Sequence, residues 1–394
     1  MIRAVVTGLG AVTPFGLGVK TYWNGLAAGL CAIRPVTLLD TQGLRCRLAA
    51  EVPEVIPGSR RRSRADRLAL AAAVEALEDA HLERAERAEV AVVVGAVGGG
   101  MFEAEEWYWR EAGRGAVEPD RRALGAVLPW SHAEVVANAL GLYGPRETLT
   151  TACSSGAAAL AVASELVTTG MVDLVLAGGV DAITRICYLG FNALKLLDPE
   201  PCRPFDRERR GMSIGEGAGF FVLESAEHAA ARGARVYAEL AGYGMTSDAY
   251  HVTSPDPEGR GMARAMVEAL TRSGLSAADV GYANAHGTAT PQNDRMEGLA
   301  LRAVFGAEGL LVSSTKSMIG HTMAAAGSLE AMATVLALVH DVIPPTVHLD
   351  SPDPEVAFDC VPHRARHAAI EHAISNSFGF GGQNVTLLFR RACT

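Results

Sequence analysis

Short runs of β-branched and apolar residues alternate with Ala- and Leu-rich stretches along most of the chain. VAVVVGAV at 90–97, ETLTTA before Cys153, LVLAGGV at 174–180 and GFFVLE at 219–224 read as strands. The stretches between them read as helices built from small residues. In SSGAAALAVASELVTTG, from Ser154, apolar positions cover most of the helical circumference instead of one stripe, which predicts a helix buried on all sides. Strands alternating with helices predict an α/β fold.

A long self-similarity organises the chain further. TLTTACSSGAAALAVASELVTTGMVDLVLAGG has a counterpart in LVSSTKSMIGHTMAAAGSLEAMATVLALVHDV: strand, sharp turn, Gly/Ala-rich helix. AVVTGLGAVTP at the start answers AELAGYGMTSD at 238–248, and VAVVVGAVGG answers GYANAHGTAT. Two copies of one unit are expected, 1–230 and 231–394, divided within the polar helical stretch 225–236. No Pro/Ser linker lies there, so the halves should pack tightly around a shared site.

Composition narrows the function. The 394 residues are 49% hydrophobic and carry a net charge of −9, which leaves no overall basic field for nucleic acid or an anionic membrane. The start of the chain lacks a basic segment followed by an apolar run and a cleavage site. Apolar runs such as MVDLVLAGGV fall short of the roughly 20 residues that cross a bilayer. Seven scattered cysteines without CxxC spacing argue against a disulfide framework or zinc site; a reducing cytoplasm is expected. His363, His367 and His372 lie among arginines and are not expected to hold a metal. The GLG near the start is not a dinucleotide fingerprint, because Thr13 stands where a glycine is needed and Pro14 follows.

Cys153 falls where a strand ends and a small-residue helix begins. Its sulfur would sit at a helix N-terminus, a setting that stabilises a thiolate. The other six cysteines read as packing residues. His286, in NAHGTATPQND, and His321, in STKSMIGHTMAAAG, each follow a predicted strand, and His321 falls in the turn equivalent to that of Cys153. A thiol with two imidazoles and no paired carboxylates in the same turns suits acyl transfer on a thioester. Cysteine-protease chemistry fits less well, since it needs one histidine oriented by Asn or Asp.

At these residues the chain resembles the β-ketoacyl-[acyl carrier protein] synthases, in particular the elongating type II kind, within the thiolase-like superfamily. The likeness runs through VVTGLGAVTPFG, TACSSGAAAL, DLVLAGGVDA, CRPFDRERRGMSIGEGAG, AYHVTSPDPEG, NAHGTATPQND, SSTKSMIGHTMAAAGSLE, IPPTVHLDSPDP and ISNSFGFGGQNVTLLF. It implies a five-layer αβαβα sandwich of two pseudo-symmetric βαβαβαββ halves. It makes Cys153 the acyl-accepting nucleophile, His286 and His321 the pair serving malonyl decarboxylation, and Lys316 a supporting lysine tied to Glu330. Thr288 and Thr290 would contact the phosphopantetheine arm, and the N–H groups of Cys153 and Phe380 would form the oxyanion hole. Phe378, Gly379 and Phe380 would gate the nucleophile, with Gly381 and Gly382 freeing the loop.

The same resemblance implies acyl carrier protein as partner, acyl and malonyl thioesters as substrates, and no cofactor beyond the carrier's phosphopantetheine. It also implies a homodimer, or a heterodimer with a chain-length-factor-like subunit. An acidic enzyme recruiting an acidic carrier needs a local basic patch, and Arg60, Arg61, Arg62, Arg64 and Arg67 are expected to supply it, with Arg121, Arg122 and Arg203. Two departures leave the pathway open between fatty acid synthesis and a polyketide or aryl-polyene route: a shortened EVVANALGLYGPRETLTTAC and an aromatic GGGMFEAEEWYWREAG, both mapping near the expected dimer interface and acyl pocket. The competing functions are a non-catalytic chain-length-factor-like subunit, which lacks the cysteine, and a thiolase, which uses a second one.

Overall fold

The computed structural model describes residues 2–53, 56–59, 62–82, 84–111, 121–128, 130–306, 309–356 and 358–392. In the first half the main elements are β1 (Ala4–Thr13), α1 (Arg64–Asp79), β2 (Ala91–Gly95), α2 (Met101–Glu111), α3 (Ser131–Leu140), β3 (Arg146–Leu149), α4 (Ser155–Thr168), β4 (Leu174–Asp181), α5 (Arg185–Ala193) and β5 (Gly217–Ser225). The second half follows with β6 (Ala238–Ser247), α6 (Arg260–Ser273), β7 (Tyr282–Asn284), α7 (Pro291–Phe305), β8 (Leu311–Ser313), α8 (Ala326–His340), β9 (His372–Gly379) and β10 (Gln383–Arg391).

The strand orders of the halves match element for element: β3-β2-β4-β5-β1 and β8-β7-β9-β10-β6. In each half the three strands nearest the outer edge run parallel and the next two pair antiparallel. Even the irregularities repeat, with a register shift between Val6 and Gly8 in β1 and between Leu240 and Gly242 in β6. The two sheets join where Val5 and Val6 pair with Glu239 and Ala238. One detail of the predicted repeat is corrected: the partner of β4 is β9, not the apolar residues up to Val342, because an irregular stretch separates α8 from β9.

α1 and α3 cover the outside of the first sheet, and α6 and α7 that of the second. α4 and α8 lie between the sheets and against each other, giving the five layers of a thiolase-like αβαβα sandwich. Every residue of α8 from Ala326 to Leu338 is buried. The stretch Met323–His340 is long and apolar enough to cross a membrane, contrary to the shorter runs expected from the sequence, yet 89% of it is buried inside the protein. It is a core helix.

Small residues set how close the inner helices come. A Cβ on Gly156 would lie 2.5 Å from the Ala324 carbonyl oxygen, and one on Gly327 would lie 2.6 Å from the Ala157 nitrogen. Both obstacles are backbone, which cannot swing away. Gly156→Val is therefore expected to destabilise the fold by about 1–3 kcal/mol, read as a lower denaturant midpoint with an unchanged slope.

Candidate active site

β3 ends at Leu149 and α4 starts at Ser155, so the chain must turn sharply through Cys153. Ala152 sits at φ +52°, a left-handed conformation that costs a residue with a side chain about 1–3 kcal/mol. The serines that follow hold it there. Ser155 Oγ accepts from the Thr151 N–H at 2.9 Å and donates to the Ala152 carbonyl at 2.6 Å, while Ser154 Oγ donates to the Thr151 carbonyl at 2.7 Å. The turn presents Cys153, 8% exposed, to a cavity of about 390 Å³ that His286, His321, Thr288, Thr290, Phe378 and Phe380 also line.

His286 lies just beyond β7, where its own N–H and that of Gly287 both donate to the Glu297 carboxylate of α7 at 2.8 Å. His321 is tied to the first half: its N–H donates to the Ser213 carbonyl at 2.7 Å, and its carbonyl accepts from Gly215 at 2.9 Å. The two rings meet edge to face with centroids 5.3 Å apart.

Hydrogen bonds decide the tautomers. Lys316 Nζ donates to His286 Nδ1 at 3.2 Å and pairs with Glu330. The Met323 N–H donates to His321 Nδ1 at 3.2 Å. Each Nδ1 is thus an acceptor, which places the proton on Nε2. His321 Nε2 is buried without a protein partner. Burial holds the pKa of His286 well below the usual imidazole range, helped by Lys316 and His321, and burial with Lys316 does the same to His321. Two neutral imidazoles therefore offer N–H donors to whatever enters.

The sulfur departs from the sequence expectation. Burial pushes the Cys153 thiol up to about 11, although Lys316 and the backbone groups of Phe380 and Cys153 pull it down. A helix terminus contributes typically 0.3–1 kcal/mol, under one pH unit, whereas full burial shifts a pKa by up to 3–5 units. Desolvation wins, and the resting residue is a thiol. The backbone groups that oppose it belong to Cys153 and Phe380, the pair expected to form the oxyanion hole.

The segment expected to gate the cysteine ends in a hairpin tip. Gly379 pairs with Gln383, and Phe380, Gly381 and Gly382 make the turn between β9 and β10, the two glycines at φ +86° and +73°. A Cβ on Gly379 would approach the Thr151 carbonyl oxygen to 2.9 Å, so glycine lets the strand lie against the nucleophile turn. Phe378 sits 5.9 Å from the His286 ring, and Phe380 lies 6.0 Å from Phe191, another cavity residue. Thr288 and Thr290 share a hydrogen bond of 2.8 Å at the cavity wall.

Sequence reasoning missed two carboxylates on α7. Glu297 holds the His286 backbone, and burial pushes its pKa up to about 7. Asp294 accepts from the N–H groups of Phe205 at 2.8 Å and Ala289 at 3.1 Å, fixing two residues at φ +63° and +66°. The i, i+3 acidic pair of NDRMEG reads as an exposed helix face, and only the fold turns it toward these N–H groups.

One member of the expected arginine cluster is turned away from the surface. Arg60 and Arg61 lie outside the described residues. Arg64 is committed inward: Nε donates to the buried Glu216 at 2.8 Å and Nη2 to the Val52 carbonyl at 3.3 Å. Without that direction the buried Glu216 carboxylate would lose its cationic partner. Arg203 pairs with Glu200. Arg62 lies beside Trp130 and Glu134, which do not line the Cys153 cavity. The late histidines separate too, His363 beside Asp350 and His372 Nδ1 3.0 Å from the Asp279 carbonyl.

A sandwich of two like halves, with a cysteine at one inner-helix entry and a histidine at the other, defines the class of thiolase-like enzymes. Within it, residues 2–229 match the beta-ketoacyl synthase N-terminal domain and residues 237–350 the beta-ketoacyl synthase C-terminal domain, and the chain belongs to the beta-ketoacyl synthase family. It is 40% identical to a 3-oxoacyl-[acyl-carrier-protein] synthase 2 from Synechocystis sp., over 99% of this chain and 98% of the relative. Among solved structures it is similar to the ishigamide ketosynthase/chain length factor (36% identity, TM-score 0.96, all of both chains). It is also similar to a type II polyketide ketosynthase in complex with its acyl-carrier protein and bound to a hexaketide (32% identity, TM-score 0.92, 99% of this chain and 100% of that one).

A thiol near 11 has a distinctive reactivity profile. Alkylation of Cys153 by iodoacetamide, followed on its peptide by mass spectrometry, should rise about tenfold per pH unit from 7 to 10. A plateau near pH 8 would mark a thiolate stabilised against burial.

Proposed function

We propose that this chain is a β-ketoacyl-[acyl carrier protein] synthase, a condensing acyltransferase that joins an acyl group on Cys153 to malonyl-carrier protein with loss of carbon dioxide. The observation that carries the reading is the convergence, in one cavity, of a buried thiol, two backbone N–H groups aimed at it, and two neutral imidazoles with Nε2 protonated.

The arrangement divides into two steps. The Cys153 sulfur attacks the acyl thioester carbonyl, whose oxygen gains charge against the N–H groups of Cys153 and Phe380. The pantetheine thiol leaves, taking up the proton that Cys153 gives up. Malonyl thioester then enters along the Thr288 and Thr290 wall. Its carboxylate departs as carbon dioxide, and the electron pair left behind forms an enolate whose oxygen lies between the Nε2–H groups of His286 and His321. Fixed donors at developing charge are the largest single source of rate in many enzymes. The enolate carbon attacks the acyl–Cys153 carbonyl, the cysteine sulfur leaves as a thiolate, and one proton taken up from solvent restores the resting thiol. Lys316 and Glu330 hold the His286 tautomer; no cofactor is proposed beyond the carrier's pantetheine.

Two competing readings lose support from the cavity itself. A chain-length-factor-like subunit has no use for the nucleophile and its paired histidines. A thiolase needs a second cysteine, and among the described residues Cys153 is the only one lining the cavity. The product enters type II fatty acid synthesis or a specialised polyketide or aryl-polyene route in the cytoplasm. The proposed assembly is a homodimer or a pair with a chain-length-factor-like subunit. Exposed Trp109, Trp130 and Tyr143 offer apolar surface for it. Of the arginines expected to dock the carrier, Arg62 is the one carried forward, and Arg62→Glu should raise KM for carrier-bound substrate while small thioesters react as before.

The half-reactions separate the roles. Cys153→Ala should abolish the acyl adduct and condensation yet retain carbon dioxide release from malonyl-carrier. His321→Ala should keep a measurable adduct while decarboxylation falls on the order of 100- to 1000-fold. Intact-protein mass reads the first and released carbon dioxide the second. An adduct surviving Cys153→Ala would overturn the assignment.

A further inference from the structure

Asp181 ends β4 behind the cavity and is 1% exposed. Its two oxygens serve opposite halves of the molecule. Oδ1 accepts from the N–H groups of Gly98 and Gly99, at 2.7 and 2.9 Å, in the loop after β2. Oδ2 accepts from the N–H of Ala324 at 2.9 Å, in the turn Met323–Ala325 that follows His321. Directly before Ala324 stands Met323, whose N–H donates to His321 Nδ1 and whose φ is +56°. A residue with a side chain holds that conformation only when its surroundings impose it. The Ala324 hydrogen bond is anchored directly beside it.

We infer that Asp181 is a positioning residue for decarboxylation: by clamping the Met323–Ala325 turn it directs the Met323 N–H onto His321 Nδ1 and so keeps the proton on Nε2, facing the enolate oxygen. The inference rests on the proposed role of His321. Among the described residues its three hydrogen-bond partners are all backbone N–H donors, which marks a carboxylate acting as acceptor. Burial pushes its pKa up to about 6 against those donors and the nearby His132, which leaves it ionised at neutral pH. Because the carboxylate bridges the halves, it also ties the geometry of the histidine in the second half to the loop beside the nucleophile turn in the first.

Asp181→Asn tests this with little change of shape. The amide oxygen can still serve Gly98 and Gly99, but an NH₂ then faces the Ala324 N–H, donor against donor, and the turn must move. Carbon dioxide release from malonyl-carrier should fall roughly 10- to 100-fold, with KM for malonyl-carrier little changed and acylation of Cys153 close to the wild-type rate. Retained acylation shows that the variant is folded. Equal loss of both half-reactions, or unchanged decarboxylation, would overturn the inference.

A measurement on the unmutated protein keeps the inference testable even if the variant does not fold. Imidazole nitrogen shifts of ¹⁵N-histidine-labelled enzyme, with His321 assigned by the signal lost in His321→Gln, should report the Nε2–H tautomer. An Nδ1–H tautomer at His321 would refute the role of Asp181 directly. Failure of the ketosynthase reading is distinguishable, because the unmutated enzyme would then release no carbon dioxide at all.

Discussion

The close approach of the two inner helices is the constraint on which the site depends. α4 and α8 meet backbone to backbone at Gly156 and Gly327, with Gly179 of β4 closing on the Ala324 carbonyl from the side. Larger residues at these points would push the halves apart, and with them the turns at the helix entries. Because Cys153 and His321 occupy those entries, the spacing between thiol and imidazole is fixed by core glycines that never touch a substrate. The β1–β6 junction joins the sheets along only two residue pairs, so the helix interface carries most of the registration between halves.

Burial is the second theme, and it acts with opposite sign on the groups of the site. It holds both histidines neutral while raising the Cys153 thiol, Glu297 and Glu330. Lys316 is the counterweight: it pairs with Glu330 and directs His286 through Nδ1. A buried cation is stable only with such a partner. Placing it between carboxylate and imidazole converts a structural necessity into control of a tautomer.

Much of this was legible in the sequence. The strand equivalences at β1 and β6, β2 and β7, and β3 and β8 follow from hydrophobic pattern and glycine placement, which are local. Cys153, His286 and His321 could be singled out because each stands at a strand end beside small residues. The mate of β4 could not be read, since about 30 residues, mostly without regular structure apart from a short strand pair, separate α8 from β9. The inward fate of Arg64 was equally hidden: a run of arginines looks like surface, and only the fold brings Glu216 beneath it. Asp181, Asp294 and Glu297 were missed for a related reason. A buried carboxylate that serves backbone N–H groups has no local sequence signature, because its partners come from distant loops. The state of the thiol was misjudged because a helix terminus can be read from sequence while desolvation cannot.

The raised thiol bears on how the enzyme works. With the thiol near 11, forming the thiolate at pH 7 costs about 5 kcal/mol at 1.36 kcal/mol per pH unit. A turnover of about 10 s⁻¹ corresponds to a barrier near 16 kcal/mol, so the cost fits within it, leaving roughly 11 kcal/mol for attack on an already activated thioester. Neither histidine is a strong base, and none is required if the departing pantetheine thiolate takes up the proton. In exchange, the nucleophile sits where water is scarce, which protects an acyl–cysteine bond between the two half-reactions. A more exposed, more acidic cysteine would acylate with less effort and lose the intermediate to hydrolysis. If the tip of the β9–β10 hairpin acts as the proposed gate, it must uncover the sulfur for each carrier in turn without leaving it solvated in between.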